Sequence, residues 1–292
     1  MPRVHWHSCL WDMLRESISN SGTSRDGRIV VQDSKKIYHR KDGLGRLERS
    51  VLAVMTAWQD LPATFADLLS MVSPDVLPQT REYAWYKDGG ASLPHAADAG
   101  AIRIAATCLR RDLAAKSVRC VGLASEILPE GHFNRLVELT NNKASALFGL
   151  VLRLIQRTAD ANPNRDMLVL VDKQGGRGHY GQLLMRAFED RQMCILSESD
   201  EESEYELKGR TTKWRVLSQC GETRHMPIAL ASMLSKYMRE IFMLRFNAYW
   251  REQDANLVPT AGYYEDGLRF LKDIEPHARR LGIRREQLVR ER

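Results

Sequence analysis

The sequence predicts an α/β protein, and three features carry that expectation. Leu168, Val169, Leu170 and Val171 form a continuous apolar run that stops at Asp172 and is followed by a polar, glycine-bearing loop, Lys173 to Arg177. Such a run bounded by a turn signal reads as a strand buried on both faces. Several longer stretches repeat apolar residues at three- and four-residue steps, the period of amphipathic helices. Residues 205–208 and 214–217, joined through Gly209, have the alternation of a β-hairpin. Ligands of open α/β sheets bind beyond the carboxyl ends of the strands. Asp172 is therefore expected to face a crevice where a metal ion or phosphodiester can meet it; the plainer reading is an Asp that starts a turn.

The elements follow in order. Residues 3–7 alternate like the tail of a strand, and residues 10–14 suggest a short helix. His5, His7 and Cys9 have a chelating spacing but no fourth ligand nearby, which is weak support for a metal. Residues 19–27 read as a loop, and Arg28 to Val31 as a short extended piece ending at Asp33-Ser34-Lys35-Lys36. Hydroxyl and ammonium donors of this kind suit phosphate oxygens. Leu44, Leu47, Val51, Met55 and Trp58 share one helical face, with Arg46, Glu48 and Arg49 expected in solvent. Residues 62–100, punctuated by prolines and glycines, read as an irregular insertion. A second amphipathic helix covers residues 99–115, a strand 118–124, and one long helix 133–158. After the Asp172 strand come a helix over 180–190 and a strand over 193–196. The crowded acids between Glu198 and Glu206 lack calcium-loop spacing and read as a solvated hairpin rim. A long helix over 227–250 places Ser232, Lys236 and Glu240 on one face. The pair is usually a surface salt bridge, but Ile241, Phe242, Leu244 and Phe246 make these surroundings apolar. A further helix spans 265–272, and the arginine-rich end reads as a basic helical tail.

Composition narrows the function classes. The chain has 292 residues, with 43 Lys plus Arg against 37 Asp plus Glu, a net charge of +6 that permits a polyanionic partner without requiring one. No apolar run reaches the roughly eighteen residues of a membrane span, and residues 1–14 hold no signal-peptide core. The five cysteines are scattered without a CxxC pair, which disfavours a zinc ribbon or disulfide framework and makes the cytoplasm the expected compartment. The absence of a P-loop, GxGxxG, GxSxG or HExxH motif disfavours nucleotide hydrolysis, dinucleotide redox chemistry and serine or zinc hydrolysis.

Five stretches, taken in order, resemble the type-2 ribonuclease H (ribonuclease HII) family. Asp33-Ser34-Lys35-Lys36 is similar to the family's DSKK segment. Asn134-Arg135-Leu136, with Asn142-Lys143-Ala144, resembles the helix after its third strand. Leu170-Val171-Asp172 looks like the strand that ends in a metal-binding aspartate. Residues 231–240 resemble the helix A-S-x-x-A-K-x-x-R-D, with Glu240 in place of its aspartate. Gly262-Tyr263 stands where the family has K-G-Y.

The resemblance implies a ribonuclease H-like sheet flanked by helices over residues 29–272. Residues 1–28 become an N-terminal remnant or linker, and 273–292 the basic tail. It also implies hydrolysis of the RNA strand of RNA–DNA hybrids with two Mg2+ or Mn2+ ions. Asp172 and Glu240 become metal ligands, with Glu240 alternatively positioning water. Ser34, Lys35, Lys36 and Lys236 become phosphate contacts, and Tyr263 stacks on the sugar at the RNA–DNA junction. One departure is decisive for activity: nothing in residues 1–28 matches the family's first strand, D-E-A-G-R-G, which bears two further carboxylates. The first hairpin, the centre of the sheet, is therefore expected to be missing between the strands near Val118 and Leu168, leaving their facing edges unpaired. The chain is either a piece beginning at an internal methionine of a longer protein or a diverged copy. As written it is expected to be inactive or impaired. The alternative is a non-catalytic nucleic-acid-binding or scaffold protein that reuses the fold.

Overall fold

The computed structural model describes residues 8–21, 26–38, 43–87, 92–174, 178–219, 221 and 223–290. The alternating residues 3–7, with His5 and His7, and the loop glycines Gly175 and Gly176 lie outside them. The chain runs α1 (Leu10–Met13), β1 (Ile18–Ser19), β2 (Ile29–Val30), α2 (Ser34–Ile37), α3 (Gly43–Thr56), α4 (Phe65–Val72), α5 (Leu77–Thr80), α6 (Ala99–Ala115), α7 (Glu130–Thr140) and α8 (Lys143–Ala161). It continues with β3 (Met167–Asp172), α9 (Gly181–Ala187), β4 (Gln192–Glu198), β5 (Glu202–Lys208), β6 (Lys213–Gln219), α10 (Met226–Gln253) and α11 (Tyr264–Arg280). The fold is mixed α/β, and no helix among the described residues is long and apolar enough to cross a membrane.

One half is helical. The apolar stripe of α3 (Leu47, Val51, Met55) packs with Ile102 and Leu109 of α6, with α4, and with Met233, Tyr237 and Ile241 of α10. Trp11, Leu14 and Ile18 belong to the same core, and β1 pairs in parallel with β2. Residues 8–19 are thus integral to the fold rather than a linker. The other half is a four-stranded sheet in the order β3-β6-β5-β4, with β3 parallel to β6 and the remaining pairs antiparallel. Its inner face (Tyr205, Leu207, Trp214, Val216) is buried against Phe148 and Ile155 of α8 and Leu184 of α9. On the outer face Glu204 meets Arg215 at 3.0 Å and Glu206 meets Lys208 at 3.1 Å. Much of the expected acidic rim is therefore paired along and across strands.

Four expectations change. Strand β3 forms where the apolar run predicts it, but at the sheet edge, so only Val171 is buried and Asp172 is exposed. Residues 118–124 form no strand. The single long helix over 133–158 is two helices, because Asn141 adopts a left-handed conformation (φ 48°) and Asn142 caps α8 through Ser145 N. Residues 62–100 are well packed: Thr64 and Asp67 form a capping box on α4, and Tyr83, Trp85 and Tyr86 join Trp250 of α10 and Phe270 and Ile274 of α11 in an aromatic core. Residues 273–280, expected to open the basic helical tail, continue α11 and pin it to that core through Ile274 and Ala278.

A cavity of about 720 Å3 separates the helical half from the sheet half. Its walls include Leu10 and Leu14, the extended residues 118–126, Leu147, Leu150 and Leu154 of α8, and Leu230 and Leu234 of α10.

Candidate nucleic-acid interface

Helix α2 is a single turn that starts at Asp33, whose carboxylate accepts from Lys35 N at 2.8 Å, and ends where Tyr38 turns extended. This turn buries Ser34 and Ile37 and leaves Lys35 and Lys36 exposed. Ser34 Oγ lies 3.0 Å from Ser232 Oγ, which ties α2 to α10. Tyr38, just past the turn, donates to Glu240 Oε2 at 2.8 Å. The other oxygen of Glu240 takes Lys236 Nζ at 2.7 Å and an Arg239 guanidinium nitrogen at 2.8 Å. Lys236 Nζ also sits 4.4 Å from the centre of the Tyr38 ring and 3.4 Å from Tyr263 Oη.

Both titratable partners are shifted. Burial works against the Glu240 charge, but Lys236, Tyr38 and Arg239 outweigh it and hold the carboxyl below its ordinary range. Burial and the bond to that carboxylate push the Tyr38 phenol up to about 12. Glu240 is therefore an anion that organises cations and a phenol at one spot.

Tyr263 is reached from a second direction. Thr260 exchanges backbone bonds with the Asn247 side chain of α10 at 2.8 and 2.9 Å. Asp266 accepts from Thr260 Oγ1 at 2.7 Å and Ala261 N at 2.6 Å. Arg269, with Thr260 and Ala261 N, holds its carboxyl down to about 2. Gly262 takes φ 71°, where a side chain is strained, and a Cβ there meets Met243 at 3.3 Å. The result is a fixed Tyr263 ring, 60% exposed, with the Arg239 guanidinium 4.8 Å from its centre.

Ser34, Lys236, Glu240 and Tyr263 thus meet along α10, and Lys35 and Lys36 follow Ser34 on the exposed side of α2. Asp172 does not join them. It stands where β3 ends, and its Oδ1 accepts from Gly221 N at 3.2 Å, beside the turn that starts α10. Glu240 lies 14 residues along the helix from Met226, a rise of about 21 Å, and its oxygens are taken by Tyr38, Lys236 and Arg239. Catalytic metal pairs lie about 3.5–4 Å apart, with oxygen ligands near 2 Å. Asp172 and Glu240 share no partner, Glu240 is already held by the cations of Lys236 and Arg239, and among the described residues no three metal-ligating side chains cluster. The residues present do not fit Mg2+ or Mn2+ as the resemblance implies.

Tyr38, Arg239, Asn247 and Asp266 were not singled out by sequence reasoning. Tyr38 follows Ser34 by four positions, and Arg239 matches the arginine of the helix motif. Nothing local marks Asn247 or Asp266, whose roles depend on the fold between them. Comparison with protein-family models, curated proteins and solved structures finds no match to this chain.

Proposed function

We propose that the chain is a relative of the type-2 ribonucleases H that binds the backbone of an RNA–DNA hybrid without cleaving it. One observation carries this reading. Three stretches far apart in sequence, each resembling a family motif, meet in space: Ser34 at Ser232 (3.0 Å), and Lys236 at Tyr263 (3.4 Å). Exposed Lys35 and Lys36 flank that meeting point and suit phosphate oxygens. The exposed Tyr263 ring, backed by Arg239, offers a stacking platform beside Lys236. The non-catalytic half of the reading is supported by the pairing of Glu240 with Lys236 and Arg239 and by the lack, among the described residues, of three clustered metal-ligating side chains.

Fluorescence anisotropy of a labelled hybrid over a series of salt concentrations tests the reading. Lys35→Ala with Lys36→Ala is expected to lower the slope of log K against log salt by about 2, one unit per lost phosphate contact. Tyr263→Ala is expected to weaken binding by about 1–3 kcal/mol. Unchanged slopes in the double variant sink the interface. Hybrid cleavage in Mn2+ that Asp172→Ala abolishes sinks the non-catalytic half.

A further inference from the structure

The cations of the proposed cleft are of two kinds. Lys35 and Lys36 are exposed and, among the described residues, pair with no carboxylate. Lys236 and Arg239 are already taken: both reach the same oxygen of Glu240, Oε1, at 2.7 and 2.8 Å. That oxygen sits where a phosphate oxygen would sit between an ammonium and a guanidinium, at the spacing of a charge-assisted bond. Oε2 accepts from Tyr38 Oη at 2.8 Å, so the carboxylate cannot swing clear without giving up a further donor. The Lys236 and Glu240 side chains are only 17% and 14% exposed, which limits screening of their attraction by salt. Both cations nevertheless border the exposed Tyr263 ring. Lys236 Nζ stands 3.4 Å from Tyr263 Oη, and Arg239 lies 4.8 Å from the ring centre while donating to Ala261 O.

We infer that Glu240 is a built-in competitor for phosphate: it holds Lys236 and Arg239 in the free chain and weakens the grip of the cleft on nucleic-acid phosphates. The inference rests on the nucleic-acid reading of this cleft and names what regulates it. A phosphodiester and a carboxylate each bring one negative charge and acceptor oxygens to the same donors, so the two compete. Glu240 is tethered one helical turn from Lys236 and therefore competes at a high effective concentration. Lying below its ordinary range, its carboxyl is charged at neutral pH. An arriving phosphate must displace that charge or lie against it, and like charges repel. The opposite role, an anion that orients the two cations for the ligand, predicts weaker binding when the charge is removed. The two roles therefore differ in sign.

Glu240→Gln tests it on the full chain, because the amide keeps the side chain's shape and an acceptor oxygen while removing its charge. Fluorescence anisotropy with the labelled hybrid at about 0.1 M salt is expected to show binding tighter by about threefold or more, and a salt slope steeper by about 1–2 as phosphate contacts are gained. Lys236→Ala added to Glu240→Gln is expected to remove much of that gain. Glu201→Gln, in the turn between β4 and β5, raises the net charge equally and is expected to change neither quantity. Calorimetric titration with inorganic pyrophosphate gives a readout free of the hybrid, and Glu240→Gln is expected to bind it more tightly by about threefold or more. Equal or weaker binding of both ligands by Glu240→Gln, with circular dichroism unchanged, overturns the inference. A wild-type slope that still depends on Lys35 and Lys36 then leaves the nucleic-acid reading standing. An equal gain in Glu201→Gln assigns the effect to net charge and also overturns the inference. A gain for pyrophosphate with no hybrid binding by either protein supports Glu240 as the competitor and sinks the hybrid reading instead.

Discussion

Glu48 is fully buried in the helical half, where its carboxylate accepts four hydrogen bonds. His95 N, Ala96 N and Ala97 N donate from the loop before α6 at 2.8, 2.6 and 2.8 Å, and Tyr237 Oη donates from α10 at 2.9 Å. Burial and then the adjacent Glu48 charge raise the Tyr237 phenol well above its ordinary value, so it remains a donor. One anion thus locks α10 to α3 on the helix that also bears Lys236 and Glu240. Glu48→Gln turns one acceptor into a donor facing donors, and should cost about 1.5–3 kcal/mol in urea unfolding, the range for bonds to a charged group. A second residue-scale effect concerns pH. The Asp266 carboxyl is held down to about 2, against roughly 3.9 in an unfolded chain. Its contribution is therefore complete above about pH 4 and is lost as pH falls through about 2. The stability difference between the wild type and Asp266→Asn should stay flat above pH 5 and shrink below pH 4. A difference that grows on acidification contradicts the assigned role.

Between α7 and α8 the chain turns at two adjacent asparagines, the first left-handed at φ 48° and the second a cap. A β-branched side chain resists that φ, so Asn141→Val should cost about 1–2 kcal/mol while Asn141→Gly should be tolerated. Chemical denaturation of both variants checks this ordering. The same pair shows what a sequence makes legible. Period and caps are local, so α6 falls at Ala99–Ala115 as its pattern predicts, and the hairpin of β5 and β6 follows its alternation. The Asn141 break was hidden because the apolar steps run through it, and a left-handed asparagine is signalled only by residue type. Glu48 misled more completely: a glutamate on an amphipathic helix reads as solvated unless the distant loop that donates to it is known. The grouping of Ser34, Lys236 and Tyr263 was legible through the motif matches. That Asp172 shares no partner with them was not, since strand order depends on partners that a single strand's composition does not name.

At the scale of the molecule, two cores face each other across an apolar void. If the 720 Å3 were closed and dry, about 24 cal/mol per Å3 would give about 17 kcal/mol, beyond the ~5–15 kcal/mol net stability of a typical domain. The cavity opens to the surface, which relieves much of that cost by admitting water, but the contacts that would couple the halves are still missing across it. The larger core lies in the helical half, around α3, α6 and α10, whereas the sheet half has a small core and an open edge at β3. Regions with few buried contacts open first. Hydrogen exchange at increasing sub-denaturing urea should therefore release the amides of β5 and β6 as a group while α3 stays protected, giving two steps rather than one cooperative unfolding. A bulky apolar side chain at the void, as in Leu154→Trp, should delay the first step and leave the second unmoved, because it adds packing where the sheet half lacks it. Simultaneous release of α3, β5 and β6 at one urea concentration contradicts this picture: it requires the two cores to be coupled through contacts other than those across the void.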